Sequence, residues 1–239
     1  MTAPLFLVDT SALAGDSVVV DGPEGRHAAD VKRLRPGEPV LLGDGAGLLV
    51  EAVVAEVGRG RLVADVETRR QLPAPDPRFV VVQAVAKGGR DTDAVEAMTE
   101  VGVDEVVGWQ ASRSVARWTD RTTDKWRATA REAAKQSRRA WVPVVSGPLS
   151  TGDAAALLGE AALAVVLHES ATEPLTAVDL PASGDVVVVV GPEGGIAPDE
   201  LAAFTHVGAH VCRLGEGVLR TSTAGVAALS VLSAKRRWR

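Results

Sequence analysis

The chain has 239 residues, of which 46% are hydrophobic and 24% are charged, and its formal net charge is −5. These values are typical of folded proteins and exclude a wholly disordered or collagen-like chain. No apolar run is long enough to span a membrane, and the N-terminus lacks the basic and apolar regions of a signal peptide. The single cysteine, Cys212, excludes an intramolecular disulfide and a cysteine metal cluster. We therefore expect a cytoplasmic enzyme or binding protein.

The net charge hides one strongly basic segment. Residues 113–139 contain nine Lys and Arg residues and three acidic residues, which gives this stretch a charge of +6. Nucleic-acid binding depends on where charge lies as well as on its sum. The acidic total therefore does not exclude an RNA partner, and the local distribution favours one.

Residues 1–72 are predicted to form short strands separated by glycine-rich turns. The strand-like runs are residues 17–20, 39–42, 48–57 and 61–67. Closely spaced short strands are typical of a small β-barrel. No helix signal follows the glycine-rich turn at residues 43–47, so we interpret it as a hairpin turn rather than a phosphate-binding loop. Three prolines between Leu72 and Pro77 mark the end of this domain.

From residue 73 onward, strand-like and helix-like segments alternate. The predicted strands are residues 79–86, 103–108, 163–167, 185–190 and 210–214, and the predicted helices are residues 93–101, 124–138, 198–207 and 222–236. Asp93 and Glu96 have the spacing of a capping box at the start of the first helix. The alternation predicts an α/β domain with a largely parallel sheet. The five valines from Val186 to Val190 suit a strand that is buried on both faces.

Three loops that follow predicted strands are candidates for a binding site. They are Leu167–Glu169, the GPEGG sequence at residues 191–195, and the LGEGVLRT sequence at residues 214–221. In open α/β sheets, ligands bind beyond the carboxyl ends of the strands. GPEGG is neither a Walker loop nor a GxGxxG motif, so it does not predict a nucleotide phosphate. Together the loops predict a pocket lined by main chain and suited to a neutral or cationic cofactor.

The most distinctive segments are VVVGPEGGIAPDEL and LGEGVLRTSTAGVAAL. They resemble the bacterial family that methylates N3 of a uracil in 16S ribosomal RNA, which belongs to the SPOUT superfamily of S-adenosylmethionine-dependent methyltransferases. Four further segments match that family in the same order: HAADVKRLRPG, KGGRDTDAVEAMTEVG, SRSV and WRATAREAAKQSRRAWVP. The resemblance therefore covers nearly the whole chain.

The resemblance implies a fold class, a domain division and an assembly. The fold class is α/β, with a small PUA-like β-barrel over residues 1–72 that assists RNA binding and a SPOUT methyltransferase domain over residues 73–239. In this family the last part of the chain, here about residues 163–239, is threaded into a trefoil knot. The family acts as a homodimer on 16S rRNA of the small ribosomal subunit. Its methyl transfer requires no metal, and no association with a membrane is expected. Small residues of the last helix are compatible with close packing against a second subunit, namely Ala224, Gly225, Ala227 and Ala228.

The resemblance also implies which residues hold S-adenosylmethionine. Carried over position by position, they are Leu167, His168, Glu169, Gly191, Pro192, Glu193, Gly194, Gly195, Leu214, Gly215, Val218, Leu219, Arg220, Thr221, Thr223 and Ala224. Uracil N3 is a poor nucleophile until it loses its proton, so a base or a cation that stabilises the uracil anion is expected to assist. Arg220 is the candidate cation, and Glu193 is the candidate base or electrostatic partner of the sulfonium. The structural alternatives are that Arg220 anchors the loop or pairs with Glu193, and that Glu193 holds the loop through backbone N–H groups.

Basic side chains are the candidates for contacts with RNA phosphates. Along the predicted helix 124–138, four of them recur every three or four residues and so share one face. The expected RNA-binding residues are Arg26, Lys32, Arg33, Arg35, Arg113, Arg127, Arg131, Lys135, Arg138 and Arg139. A solvated helix face is the alternative interpretation.

Two positions depart from the family pattern. Ser222 stands where a glutamate is usual, and Ala197 stands where a serine would cap the following helix, a loss of roughly 1 kcal/mol. Two other functions stay open on the sequence alone. One is a SPOUT methyltransferase acting on tRNA or on a ribose 2′-hydroxyl, and the other is a catalytically silent RNA-binding factor in ribosome assembly.

Overall fold

The structure is a computed structural model that describes residues 3–238, so the predicted domain ends Met1, Thr2 and Arg239 lie outside it. The chain forms two compact units. The N-terminal unit contains the residues up to Ala74 together with Ala134–Val142, and the C-terminal unit contains Pro75–Ala133 and the residues from Pro143 onward. The sequence places a boundary near the proline-rich segment, but it gives no sign that residues 134–142 belong with the first unit.

The N-terminal unit is built on one five-stranded sheet. Its strands are β1 (Leu5–Leu7), β2 (Ser17–Val20), β3 (Pro39–Gly43), β4 (Leu48–Gly58) and β5 (Arg61–Gln71), and they are ordered β1-β3-β4-β5-β2. The β1–β3 ladder is parallel and the others are antiparallel. A short helix, α1 (Gly22–Arg26), and a π-helical turn (His27–Val31) follow β2. No ladder joins β1 to β2 within residues 3–238, so the expected small barrel is not closed by hydrogen bonds there.

The glycine-rich turn between β3 and β4 holds the segment 134–142. Gly47 N–H donates to Ala140 O over 3.0 Å, and Val142 N–H donates to Gly45 O over 2.9 Å. A Cβ on Gly47 would lie 2.7 Å from the Trp141 ring, and Gly45 has a φ of +75°. The glycines therefore form a hairpin turn and allow residues 140–142 to pack against it. This confirms the interpretation of residues 43–47 as a hairpin turn.

The C-terminal unit contains one seven-stranded sheet in which every ladder is parallel. Its strands are β6 (Arg78–Ala84), β7 (Glu105–Trp109), β8 (Val144–Leu149), β9 (Leu163–Leu167), β10 (Glu173–Pro174), β11 (Asp185–Val190) and β12 (His210–Arg213), ordered β10-β12-β9-β11-β6-β7-β8. The helices are α2 (Arg90–Glu100), α3 (Asp120–Gln136), α4 (Thr151–Glu160), α5 (Pro198–His206) and α6 (Thr221–Arg236). Because the strands are parallel, the loops that follow β9, β11 and β12 leave the same edge of the sheet.

The alternation of side chains along β11 divides the core into two layers. Val186, Val188 and Val190 pack with apolar residues of α2, α3 and α6, whereas Val187 and Val189 pack with those of α4 and α5. All five valines are buried, as predicted for a strand covered on both faces.

Three helix predictions need correction. Helix α2 begins at Arg90, with Gly89 as its N-cap in the left-handed region at φ +82°, so Asp93 lies inside the first turn and the predicted Asp93–Glu96 capping box is wrong. Helix α3 extends from Asp120 to Gln136, about one turn earlier than predicted at its start. Helix α4 was missed, although Ser150 and Asp153 form a capping box at its start.

Candidate active site

A cavity of about 470 Å³ opens at the carboxyl ends of β9, β11 and β12. Its walls are the three loops that the sequence singles out, Leu167–Glu169, residues 191–195 and residues 214–221. Cavities of this size accommodate cofactor-sized molecules, and the end of a parallel sheet is where α/β proteins place them. The fold therefore brings the three predicted loops together.

All but one of the predicted cofactor residues line this cavity. The exception is Thr223, whose Oγ1 donates to Arg220 O over 3.1 Å in the first turn of α6. It therefore supports the helix start and does not face the cavity. Sequence reasoning missed several lining residues: Arg90, Val190, Ile196, Cys212, Arg213 and Gly217. A signal for Arg90 existed, because it follows the end of strand β6 within the matched segment KGGR.

The GPEGG loop requires glycine at defined positions. A Cβ on Gly191 would lie 2.8 Å from Ile196 Cγ1, and a Cβ on Gly194 would lie 3.1 Å from Arg113 O. Gly195 has a φ of +74°, which favours glycine. The guanidinium of Arg113 donates to Gly194 O over 3.3 Å. Arg113, predicted to contact RNA, thus also contacts the GPEGG loop.

Thr221 joins the GPEGG loop to the start of α6. Its Oγ1 donates to Gly191 O over 2.9 Å and accepts from Gln83 Nε2 over 2.9 Å. Thr221 and Gln83 are both buried. Buried polar groups are stabilised when their hydrogen bonds are satisfied, so this pair fixes the second and third loops relative to β6.

The two candidate catalytic residues differ in their surroundings. Glu193 Oε1 lies 3.4 Å from Arg90 Nη1, and 21% of the Glu193 side chain is exposed. The predicted alternative in which Arg220 pairs with Glu193 is therefore wrong, because Arg90 takes that place. Arg220 is exposed, and its side chain makes no hydrogen bond or ion pair with the described residues. Its guanidinium donors are available to a ligand.

The third loop also has free hydrogen-bond donors. Within the described part of the chain, no main-chain N–H of residues 214–219 donates to another protein group. Val218 and Leu219 are 78% and 41% exposed at the rim of the cavity. Unpaired main-chain donors beside apolar side chains suit a ligand with both polar and apolar parts.

The start of α5 is capped in a way that compensates for Ala197. The Ala197 side chain accepts no hydrogen bond, but its N–H donates to Glu200 Oε2 over 2.9 Å. Half of the capping box is therefore present, and the expected penalty applies only to the missing acceptor.

Cys212 lies at the end of β12 and lines the cavity. Burial, with a smaller contribution from the Glu173 carboxylate, raises the pKa of the Cys212 thiol to about 11. A thiol with a pKa this high stays protonated near neutral pH and is a poor nucleophile.

Comparison with known protein families shows which family the chain belongs to. The sequence model of a family described as an RNA methyltransferase domain matches residues 73–233, and the model of an RNA methyltransferase PUA domain matches residues 20–67. The chain belongs to this RNA methyltransferase family. Membership confirms the predicted combination of an α/β domain with a PUA domain.

Individual relatives agree with this family membership. The chain is 49% identical to the ribosomal RNA small subunit methyltransferase E of Mycobacterium bovis, covering 100% of this chain and 94% of the relative. The crystal structure of a probable rRNA methyltransferase from Porphyromonas gingivalis is 27% identical, with a TM-score of 0.81 over 97% of both chains. A ribosomal RNA small subunit methyltransferase E from Neisseria gonorrhoeae, bound to S-adenosylmethionine, shares the fold at 23% identity, with a TM-score of 0.85 over 98% of both chains.

In this RNA methyltransferase, the predicted RNA-binding residues fall into two groups. Most are exposed: Arg26, Lys32, Arg33, Arg35, Arg113, Arg127, Arg131 and Arg138, with Arg139 half-buried. Lys135 is buried, and its Nζ lies 2.8 Å from Glu24 Oε1 within the N-terminal unit. The prediction that Lys135 contacts RNA is therefore wrong, because its buried ammonium group forms an ion pair with Glu24. Arg138 lies beyond the end of α3 with a φ of +54°, so it does not share the helix face of Arg127 and Arg131.

Two remaining observations concern α6 and membranes. Gly225 and Ala228 are buried, and a Cβ on Gly225 would lie 2.5 Å from Met98 Sδ. These two small residues therefore pack inside the unit rather than against a second subunit. No helix among residues 3–238 is long and apolar enough to cross a membrane.

Proposed function

We propose that this protein transfers a methyl group from S-adenosylmethionine to N3 of a uracil in 16S rRNA of the small ribosomal subunit, in the cytoplasm. The observation that carries the proposal is the cavity formed by the loops after β9, β11 and β12 in a member of an RNA methyltransferase family. The name of the Mycobacterium bovis relative, a small subunit rRNA methyltransferase, supports the substrate. The cofactor found in the Neisseria gonorrhoeae protein supports S-adenosylmethionine.

The cavity has the chemistry that S-adenosylmethionine needs. Its volume of about 470 Å³ falls in the range for drug-sized ligands. The unpaired N–H groups of residues 214–219 offer donors to the adenine and carboxylate groups, and the apolar side chains of Leu167, Ile196 and Leu219 offer surface to the adenine ring. Glu193 places a carboxylate on the same wall, where it favours a cationic ligand. The predicted cofactor residues other than Thr223 and the side chain of Arg220 would hold the group.

When bound, S-adenosylmethionine supplies an electrophilic methyl group on a sulfonium. The protein must align uracil N3 with that methyl group and exclude water. Arg220 would donate from its planar guanidinium to a uracil carbonyl oxygen, where negative charge develops as N3 loses its proton. Its exposure and lack of a partner among the described residues suit this role. Glu193, held by Arg90, would provide a fixed negative charge beside the cationic cofactor.

The knot is part of the proposal. Helix α6 lies against the connection between β9 and β11, because Lys235 Nζ donates to Thr176 O over 2.9 Å and Arg236 donates to Ala182 O over 2.9 Å. The same helix packs on β11 through core residues such as Leu229. A helix placed between the sheet and that earlier connection is what a threaded chain end would produce.

RNA contacts and self-association complete the proposal. The exposed arginines Arg113, Arg127 and Arg131 would bind phosphates in the C-terminal unit, and Arg26, Lys32, Arg33 and Arg35, which flank the π-helical turn, would do so in the PUA domain. A homodimer is consistent with the exposed Val218 and Leu219 at the rim. Light scattering coupled to size exclusion would measure the oligomeric state directly.

Methyl transfer to isolated small ribosomal subunits and to naked 16S rRNA, followed by nucleoside mass spectrometry, tests the proposed function. We expect 3-methyluridine to form on one of these two substrates. A 2′-O-methylated nucleoside, or product only when tRNA is supplied as a third substrate, would replace the proposed target by another SPOUT target. Binding of S-adenosylmethionine without any product on the RNAs would favour a silent assembly factor.

A further inference from the structure

Glu200 is a buried carboxylate outside the cavity, and only 2% of it is exposed. It accepts three hydrogen bonds from three separate parts of the C-terminal unit. Its Oε2 accepts from Ala197 N–H over 2.9 Å, and its Oε1 accepts from Ser112 N–H over 2.7 Å and from Thr151 Oγ1 over 3.2 Å. A buried carboxylate that is fully hydrogen-bonded fixes the groups that donate to it.

One of these three donors, Ala197 N–H, closely follows a loop that lines the cavity, and a second, Ser112 N–H, precedes a residue that contacts that loop. Ala197 N–H is two residues beyond Gly195, at the end of the GPEGG loop. Ser112 N–H precedes Arg113, whose guanidinium donates to Gly194 O over 3.3 Å. The loop after β7 and the loop after β11 are therefore joined twice, once through Glu200 and once through Arg113.

From these contacts we infer that Glu200 is a positioning residue for the methyl-transfer site. It sets the GPEGG loop, which would hold the cofactor, at a fixed distance from Arg113, which would face the RNA. The inference rests on the proposed function for the identity of the two ligands. The contacts that carry it do not depend on either ligand.

The third donor provides a matched control. Thr151 starts α4, and its Oγ1 also accepts from Trp109 Nε1 over 3.3 Å, so it belongs to the scaffold and does not line the cavity. Thr151→Val removes one hydrogen bond to Glu200 but leaves both bonds to the loops. Glu200→Gln places an amide NH2 where only donors point, so at least one loop N–H loses its acceptor.

The first measurement is amide hydrogen exchange on the free protein, which needs no cofactor and no RNA. Glu200→Gln should speed exchange about tenfold in peptides covering both residues 111–118 and residues 190–197. Thr151→Val should speed exchange only near the start of α4. If the two loop segments exchange at the wild-type rate in a folded Glu200→Gln variant, the inference is wrong. This outcome is distinct from a failure of the proposed function, which would appear as wild-type protein that binds no S-adenosylmethionine.

The second measurement is calorimetric binding of S-adenosylmethionine. Glu200→Gln should raise Kd at least tenfold, and Thr151→Val should leave Kd within threefold of wild type while lowering the thermal midpoint. A role in stability alone would lower the midpoint of both variants and leave both Kd values unchanged, which would overturn the inference.

If Glu200→Gln does not fold, Arg113→Gln provides an alternative test. The Arg113 side chain is exposed, so this substitution should leave the protein folded. It should raise the Kd for S-adenosylmethionine several-fold and also raise the KM for RNA. An effect on the RNA KM alone would show that Arg113 does not position the cofactor loop, and would contradict the inferred connection.

Discussion

Arg90 Nη1 lies 3.4 Å from Glu193 Oε1, and this contact joins the residues after β6 to the loop after β11. The sequence predicts that the loops after three strands form the cavity, and this pair adds the residues after a fourth strand, β6. It also distinguishes Arg90 from Arg220 among the arginines of the cavity, because Arg90 pairs with a carboxylate whereas the Arg220 guanidinium has no partner among the described residues.

The free guanidinium of Arg220 leads to a first prediction. Arg220→Ala should lower kcat by about 100-fold, because a preorganised donor to a developing anion is removed. The Kd for S-adenosylmethionine, measured by calorimetry, should change less than threefold. Arg220→Lys should recover only part of kcat, since an ammonium cannot reproduce the planar pair of donors. Normal turnover in Arg220→Ala would remove Arg220 from the mechanism.

The Arg90–Glu193 pair leads to a second prediction. Arg90→Ala and Glu193→Gln should each weaken S-adenosylmethionine binding, and the double variant should be little worse than the stronger single one. For a partly exposed ion pair we expect a coupling free energy of about 0.5–1 kcal/mol. The four proteins of this double-mutant cycle would be compared by calorimetry at low salt. Strictly additive losses would mean that Arg90 does not act through Glu193.

The buried hydroxyl of Thr221 leads to a third prediction. Thr221→Val should lower the free energy of unfolding by about 1–3 kcal/mol, because Gly191 O loses its donor and Gln83 loses an acceptor. The Kd for S-adenosylmethionine should rise as the two loops separate. Thr221→Ser keeps the hydroxyl and is the control, expected to bind nearly as wild type. Equal losses in both variants would mean that the hydroxyl has no special role, because Thr221→Ser retains it and Thr221→Val retains the methyl group.

A fourth prediction concerns the basic segment. Charge reversal of Arg131 and Arg138 together should weaken RNA binding and flatten its salt dependence, because fewer counterions are released per complex. The slope of log K against log salt should fall in magnitude by about 0.7 for each single-strand phosphate that the variant no longer neutralises. Filter binding at several salt concentrations measures this slope, and an unchanged slope contradicts the assignment.

Lys135→Met is the matched control for that experiment. It removes a positive charge from the same segment, but from a buried pair with Glu24. Leaving a buried carboxylate without this partner should cost about 3 kcal/mol of stability. The salt slope of RNA binding should remain that of the wild type.

A fifth prediction concerns alkaline pH. Burial raises the pKa of the Cys212 thiol from 9.0 to about 11, so the folded state holds this proton more tightly than the unfolded state. The resulting stability is fully present below pH 9 and is lost as the pH rises towards 11. Urea unfolding between pH 8 and 11 should therefore show a decline that is shallower in Cys212→Ala. If the free energy of unfolding declines equally with pH in the wild type and in Cys212→Ala, this thiol does not contribute to the pH dependence of stability.

The sequence predicts five of the seven strands of the C-terminal sheet, all but β8 and β10, because their signals are local. The run from Val186 to Val190 reports burial on both faces, and glycine loops follow the strands β11 and β12. The cavity residues come from these loops, so spacing and resemblance together identify most of them. Arg90 lies in a segment that the resemblance matches, but its pairing with Glu193 depends on the neighbouring position of β6 and β11 in the sheet, which spacing along the chain does not give.

Two of the errors arise from long-range contacts, and the third arises from a local helix cap. In the sequence Lys135 resembles the other basic residues of its helix, but in the structure it is buried and pairs with Glu24, 111 positions away. The start of α2 was misplaced because Gly89 caps it through a left-handed backbone, while Asp93 and Glu96 offer a stronger side-chain signal one turn later. Gly225 packs against Met98 on another helix, so its small size serves the core.

The docking of residues 134–142 against the glycine-rich turn affects how this protein can be divided. The apolar side chains of Leu5, Leu7 and Leu49 are covered in part by Ala140 and Trp141, which lie far along the chain. A fragment ending at the proline-rich segment would lack that cover and expose an apolar patch. Exchange of the RNA-binding module between relatives would therefore require two separate gene segments to be replaced instead of one, so that residues 134–142 remain with the turn they pack against.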